Sequence, residues 1–262
     1  NIAAIVTERG GPMSHTAILA RSLGIPALVG VSHIHQYIDN DELLVVDANN
    51  GALLAGLDEN ALAVYRRQQR QERLARRALQ QLKNQPALTQ DNINITLRAN
   101  IELSEDITAM HRVGAEGVGL YRTEFLFMNR ESPPSEEEQF QVYRHTVKRL
   151  KGAPLTIRTL DLGGDKEIVP GSSSCCTNPA LGLRAIRLCL QEPELFLPQL
   201  RAIMRASAYG PIRILIPMLT TAEEIPQVLG LLNQVKEQLK RERKRFDPDV
   251  MIGGMVEVPA AA

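Results

Sequence analysis

The sequence predicts an α/β protein in three parts: a small mixed domain over residues 1–56, a linker helix over 57–86 and a parallel sheet over 87–262. Three observations support this division. Short apolar runs bounded by turn signals fill the first part, and one long helical pattern fills the second. In the third part, apolar strands alternate with helices. Because strands connected through helices pair in parallel, the third part should form one parallel sheet.

The first part is expected to contain four short strands and one helix over residues 15–23. Asn49, Asn50 and Gly51 supply a hairpin turn before the last strand. The expected strands cover residues 2–6, 27–29, 43–46 and 52–54.

The start of this short helix carries the most informative motif. Residues 10–18 read Gly-Gly-Pro-Met-Ser-His-Thr-Ala-Ile, so Ser14 is the expected N-cap and His15 the first helical residue. The free amides and positive dipole end disfavour imidazolium there, and they favour a dianion attached to a neutral ring nitrogen. The motif therefore predicts a phosphohistidine, with a purely capping histidine as the alternative. The expected apolar face consists of Ala17, Ile18, Ala20 and Leu23.

A helix over residues 58–83 should follow, entered through Asp58. It is rich in arginine, which would suit binding to nucleic acid, but aromatic residues for base stacking are missing and the chain has no net charge. A connecting helix is the preferred interpretation. Its expected apolar stripe is Ala61, Leu62, Tyr65, Leu74, Ala75, Ala78, Leu79 and Leu82.

The third part should contain five strands that alternate with helices. Ser135 with Glu138 forms a capping box that opens one of its helices. The expected strands cover residues 93–97, 117–121, 155–160, 212–216 and 251–256, and the helices cover 104–112, 135–150, 181–190, 194–207 and 221–240.

Composition excludes several classes of protein. Thirty basic residues balance thirty acidic ones among 262, and no apolar run is long enough to cross a bilayer. Three cysteines, Cys175, Cys176 and Cys189, lack metal-ligand spacing and favour a reducing compartment. We therefore expect a cytoplasmic protein without nucleic acid or membrane insertion. The sequence has no initiator Met and stops directly after a strand, so an internal piece of a longer protein is expected.

Arginine and glutamate follow several of the predicted strands. In a parallel barrel the working side chains come from the carboxyl ends of strands. Arg122, Arg158 and Glu257 have such positions, and Arg184 opens a helix. Arginine holds phosphate bidentately, and Mg²⁺ is commonly held by carboxylates plus substrate oxygens. Surface ion pairs and a solvated glutamate are the alternative interpretation.

These strings together resemble a known family. Residues 10–21 resemble the phosphohistidine motif of the phosphoenolpyruvate-utilising enzymes, and Ser-His-Thr is most similar to the enzyme I family of the bacterial sugar phosphotransferase system. The strings at residues 119–127, 157–166, 178–187 and 255–257 follow in the same order. The resemblance implies a swivelling phosphohistidine domain and a (β/α)8 TIM-type barrel, of which five strands are present. The number of strands alone does not exclude a doubly wound sheet.

The resemblance also implies an activity. Phosphoenolpyruvate would bind Arg122, Arg158 and Arg184 with Mg²⁺ on Glu257. The phosphoryl group would pass to His15 and then to a histidine phosphocarrier protein. The intact protein would be a homodimer. Two alternatives stay open, an ATP-linked synthase or dikinase and a non-catalytic phosphohistidine module.

By the same resemblance, the second metal carboxylate and the proton donor would follow Ala262. The subdomain that docks the carrier would precede Asn1. The 262-residue chain alone is therefore not expected to accept phosphate from phosphoenolpyruvate.

Overall fold

A computed structural model describes residues 2–11, 14–128, 130, 132–163 and 182–262, apart from the side chains of His15 and Ser22. The chain divides into two compact units, Asn1–Gln85 and Pro86–Ala262. Cys175 and Cys176 lie outside the described residues.

The first unit contains two small sheets. Strand β1 (Ile5–Thr7) pairs in parallel with β2 (Ala27–Val29), and helix α1 (His15–Leu23) connects them. Strands β3 (Val45–Asp47) and β4 (Ala52–Leu54) form the predicted antiparallel hairpin. The first strand begins later than predicted, at Ile5 rather than residue 2.

Helix α1 has the predicted ends. The Ser14 hydroxyl accepts a hydrogen bond from the Ala17 amide at 3.3 Å, and Gly24 ends the helix with φ +66°. Ile18 and Ala20 are buried, whereas Leu23 is 68% exposed. The predicted apolar face is therefore wrong at Leu23. This residue is the last of the helix, directly before the C-cap Gly24.

Helix α2 (Glu59–Gln80) begins as predicted at Asp58, whose carboxylate accepts from the Ala61 amide at 2.7 Å. Only Leu62 of the predicted stripe is buried, and Leu74, Leu79 and Leu82 are exposed. The small sheets are too short to cover a 22-residue helix. The second half of the predicted stripe is therefore exposed and does not belong to a hydrophobic core.

The second unit is built on one parallel sheet of five strands in chain order. These are β5 (Ala99–Ile101), β6 (Val118–Tyr121), β7 (Leu155–Arg158), β8 (Ile212–Ile216) and β9 (Met251–Gly254). The α/β prediction is confirmed, and the described residues form an open sheet and not a closed barrel. A doubly wound sheet reverses its strand order, whereas this sheet does not.

The strand predicted at residues 93–97 is wrong. This segment folds back on residues 87–89, because Thr89 N bonds Ile93 O at 3.0 Å and Ile95 N bonds Ala87 O at 2.8 Å. The Ile93 carbonyl and the Ile95 amide therefore bond residues 87–89 and not a neighbouring strand of the sheet, and both side chains stay exposed. The parallel ladder starts instead where Ala99 N bonds Gly117 O.

Helices packed on the sheet bury its central strands, whereas β9 is exposed along its length. Tyr143 of α4 (Glu136–Arg149) and Leu200 of α6 (Pro193–Ser207) are fully buried, as are Leu155 and Ile157 of β7. These large side chains form one contiguous core. The helices are α3 (Asp106–Val113), α4 (Glu136–Arg149), α5 (Ala185–Gln191), α6 (Pro193–Ser207) and α7 (Glu224–Arg241).

The capping box of α4 is confirmed and leads to a pH prediction. Glu138 accepts from the Ser135 amide at 2.8 Å and from Arg130 at 3.0 Å, which lowers the pKa of Glu138 to about 2. A lowered folded-state pKa stabilises the fold above the unfolded value, and this contribution is lost as pH falls. We expect Glu138→Gln to destabilise the fold at pH 7. The difference from wild type should shrink between about pH 4.5 and pH 2.

Urea unfolding across this range measures the difference. Glu116→Gln, at an exposed carboxylate outside the helices, is the control. A Glu138→Gln effect that is independent of pH would contradict the charge-based account of the cap.

Candidate functional site

The predicted site residues of the second unit follow the carboxyl edge of its sheet. Arg122 comes directly after β6, Arg158 is the last residue of β7, and Glu257 lies three positions after β9. Arg184 is the N-cap residue of α5. Ends of parallel strands meet at one edge, so the topology places these residues along that edge.

Arg158 lies at the centre of a largely buried ion cluster. Its Nη2 is 2.9 Å from Glu124 Oε1 and its Nη1 is 3.2 Å from Asp161 Oδ2. All three side chains are 13% exposed or less. Burial raises the pKa of Glu124, and the positive charge of Arg158 opposes that rise. The two carboxylates therefore fix the guanidinium in one orientation.

Arg184 is brought to the same cluster. Its Nε and Nη2 donate to Asp161 Oδ1 at 3.3 and 2.9 Å, so Asp161 bridges Arg158 and Arg184. An antiparallel bridge between Gly163 and Arg184 joins the two segments. Gly163 has φ +120°, and an added Cβ would lie 2.5 Å from Leu183 O. This close approach requires a glycine.

Arg122 has a different partner. Its Nη1 donates to Glu102 Oε1 at 3.0 Å, on the loop after β5, and the arginine side chain is 41% exposed. This pair is therefore more accessible to an incoming ligand than the Arg158 cluster.

Two of these arginines have spare hydrogen-bonding capacity. Within the described part of the chain, Nε of Arg122 and Nε of Arg158 are buried without a hydrogen-bond partner, as are Nε of Arg98 and Arg144. A buried unpaired donor costs roughly 1–3 kcal/mol. Phosphate and carboxylate accept two parallel hydrogen bonds from such a guanidinium. What singles out Arg122 and Arg158 is their place at the ends of neighbouring strands, where an anion could bind both.

Glu257 is held by a backbone contact. Its Oε1 accepts from the Met218 amide at 2.7 Å, and Met218 has the unusual φ of +58°. No group of three or more potential metal ligands occurs among the described residues. A single carboxylate of this kind is compatible with a hard divalent cation that takes its other oxygen ligands from a bound substrate and water.

The remaining candidates are less informative. His15 is the first residue of α1, but its side chain is outside the described part. Cys189 is fully buried, and burial raises its pKa to about 12, so it is not a nucleophile.

The sequence analysis missed Glu102, Glu124 and Asp161 as partners of the arginines. The available signal was an acidic residue within three positions of each strand end.

Comparison with known proteins identifies the family. The model of the PEP-utilising enzyme PEP-binding domain matches residues 76–262, and that of the mobile domain matches residues 1–51. The chain belongs to the PEP-utilising enzymes. Members of this family need a divalent metal ion.

Individual relatives make the similarity more specific. The chain is 48% identical to a phosphoenolpyruvate-protein phosphotransferase of Cupriavidus necator over 98% of its own length and 44% of the relative. It is 41% identical to phosphotransferases of the same name from Staphylococcus aureus and Staphylococcus carnosus, over 98% of this chain and 45% of each relative. The resemblance to enzyme I is confirmed. The chain spans about half the length of these curated relatives.

No helix among the described residues is long and apolar enough to cross a membrane.

Proposed function

We propose that the natural gene product that contains this chain transfers the phosphoryl group of phosphoenolpyruvate to His15 and on to a histidine of a phosphocarrier protein, as the first step of sugar uptake by a phosphotransferase system. One observation carries the proposal: adjacent strand ends present Arg122 and Arg158, each with a buried unpaired Nε. Residues 1–56 would be the mobile phosphohistidine domain, 57–86 the linker, and 87–262 the part that binds phosphoenolpyruvate. The protein would act in the cytoplasm as a homodimer.

The arginines would bind and orient the substrate. Phosphoenolpyruvate carries a phosphate and a carboxylate, and Arg122, Arg158 and Arg184 would supply positive charge and their remaining N–H donors to these groups. Fixed cations of this kind stabilise the charge that spreads over the phosphoryl oxygens during transfer. The carboxylates Asp161 and Glu124 hold two of the arginines in place before substrate arrives.

The transfer would be an in-line displacement at phosphorus. A bond forms from a neutral His15 ring nitrogen to phosphorus while the phosphorus–oxygen bond to the enol breaks. The electron pair goes to the enolate oxygen, and protonation at carbon then gives pyruvate. The start of α1 favours this chemistry, because its free amides disfavour imidazolium and stabilise the attached dianion.

Glu257 would hold the divalent ion, proposed to be Mg²⁺. When bound, this ion neutralises charge on the phosphate and the enolate. The amide of Met218 orients the carboxylate by occupying one of its two oxygens.

The decisive experiment uses the natural gene product that contains this chain, incubated with phosphoenolpyruvate labelled in its phosphate and with Mg²⁺. We expect acid-labile label on His15, formation of pyruvate, and loss of both in His15→Ala. His35→Ala, at an exposed histidine outside α1, should keep both. Label at another residue, or turnover by His15→Ala, would refute the proposal. Label arriving from ATP instead would favour the synthase or dikinase alternative.

A further inference from the structure

A chain of buried polar side chains lies directly beneath the arginine cluster. Gln199 of α6, Thr123 and Tyr143 are all fully buried, and each makes hydrogen bonds. Buried amides are costly unless they are satisfied, so a fully bonded glutamine in a core indicates a specific structural requirement.

Gln199 binds the segments that carry the two arginines. Its Oε1 accepts from the Leu160 amide at 2.9 Å, two residues after Arg158. Its Nε2 donates to Thr123 Oγ1 at 3.2 Å, and Thr123 directly follows Arg122. The Thr123 hydroxyl in turn donates to the Arg158 carbonyl at 3.0 Å.

These side-chain bonds act where the backbone ladder between the two strands ends. The last β6–β7 pair is Tyr121 with Ile157, after a register shift from Val118 with Leu155. Beyond it, the Arg158 carbonyl and the Leu160 amide bind the side chains of Thr123 and Gln199 instead of backbone groups of β6. Side chains therefore set the separation of the two strand ends.

Gln199 is itself fixed from behind. Its Nε2 also lies 3.3 Å from the Tyr143 hydroxyl, which donates to Gln139 Oε1 at 3.1 Å. Gln139 Nε2 donates to the Pro134 carbonyl at 3.0 Å. Both donors and the acceptor of Gln199 are thus used, so the amide has one orientation.

We infer that Gln199 is a positioning residue that sets the spacing of Arg122 and Arg158 for a phosphate- and carboxylate-bearing substrate. It acts through Thr123 and Leu160 and does not touch the substrate. This inference rests on the proposed function, since it assumes that phosphoenolpyruvate binds both arginines. Displacements of about 1 Å in such a site can cost about 100-fold in rate.

The test uses Gln199→Met in the natural gene product, because methionine has a similar volume and lacks the amide. We expect KM for phosphoenolpyruvate to rise by about 10-fold or more. Transfer in reverse, from the phosphorylated carrier protein to His15, does not use the arginines and should keep its rate. Thr123→Val removes one hydroxyl with little change of shape and should raise the same KM.

Leu200→Ala is the matched control. Leu200 is the next residue of α6 and is also fully buried, but the network does not include its side chain. This variant should lower the melting temperature and leave KM within about 2-fold of wild type, because it perturbs packing only.

The outcomes separate the inference from the proposed function. Unchanged KM in both Gln199→Met and Thr123→Val, with active wild type, would overturn the inference alone. Equal rises in KM for Leu200→Ala and Gln199→Met would also overturn it, since general destabilisation would then suffice. Wild type that forms no phosphohistidine from phosphoenolpyruvate would refute the proposed function itself.

Discussion

Replacing Arg158 by alanine is expected to lower the free energy of unfolding by about 3 kcal/mol and kcat/KM for phosphoenolpyruvate by about 100-fold or more. The stability loss arises because Glu124 and Asp161 are largely buried and would lose the cation between them. A buried carboxylate without its partner is more costly than the complete pair. The kinetic loss follows because the variant lacks a guanidinium at the end of β7.

Urea unfolding at several pH values tests the electrostatic cause. Without Arg158 the pKa of Glu124 should rise further, so the folded variant binds a proton more readily than the unfolded chain. Stability then falls as pH rises, and the deficit relative to wild type should narrow in acid. Arg158→Lys keeps the positive charge but lacks the planar set of guanidinium donors, and it should recover part of the stability lost in Arg158→Ala. Arg66→Ala, at a pair on α2 that is mostly exposed, should cost less than about 1 kcal/mol.

An Arg158→Ala variant as stable as Arg66→Ala would contradict this description of the cluster. A deficit that stays constant between pH 7 and pH 4 would show that lost packing, and not the loss of the cation beside Glu124 and Asp161, causes the destabilisation.

Gly163→Ala is expected to cost about 3 kcal/mol and to weaken phosphoenolpyruvate binding. The residue has φ +120°, which L side chains rarely adopt, and the new Cβ would meet the Leu183 carbonyl at 2.5 Å. Relief requires movement of the segment that carries Arg184, so the Arg184–Asp161 contact should loosen. Unfolding free energy and KM for phosphoenolpyruvate measure the two effects.

Gly230→Ala is the control for this substitution. Gly230 lies in α7, and a Cβ there would meet nothing within 4 Å. Alanine should stabilise the helix by about 0.5–1 kcal/mol, because glycine is a poor helix former. A Gly163→Ala variant as stable as Gly230→Ala would show that the bridge to Arg184 does not require a glycine beside the Leu183 carbonyl.

Local signals in the sequence were the most reliable guides to the fold. Ser14, Asp58 and Ser135 all cap helices as predicted, because a cap depends on atoms three residues away. The strand predicted at 93–97 failed because alternation alone does not say which backbone a segment will bind. The exposed second half of α2 shows the same limit, since periodicity does not reveal whether another surface covers a stripe.

The site was predictable in part. Arg122, Arg158 and Arg184 could be placed at strand or helix ends, and Arg158 and Arg184 share Asp161 in the structure. Their ligand-binding roles, with those of His15 and Glu257, stay predictions. Gln199 could not be found from sequence, because it meets Thr123 across 76 positions and only the packing of α6 on the sheet brings them together.

The outer margin of β9 has a practical consequence for handling the protein. Met251 is 57% exposed and Ile252 is 36% exposed, and no strand among the described residues pairs with the side of β9 opposite β8. Unpaired backbone N–H and C=O groups on an edge strand, next to apolar side chains, promote pairing with a strand of another molecule. A preparation restricted to these 262 residues would therefore tend to aggregate as its concentration rises. Dilute samples, or a charged residue in place of Ile252, would reduce this aggregation during purification.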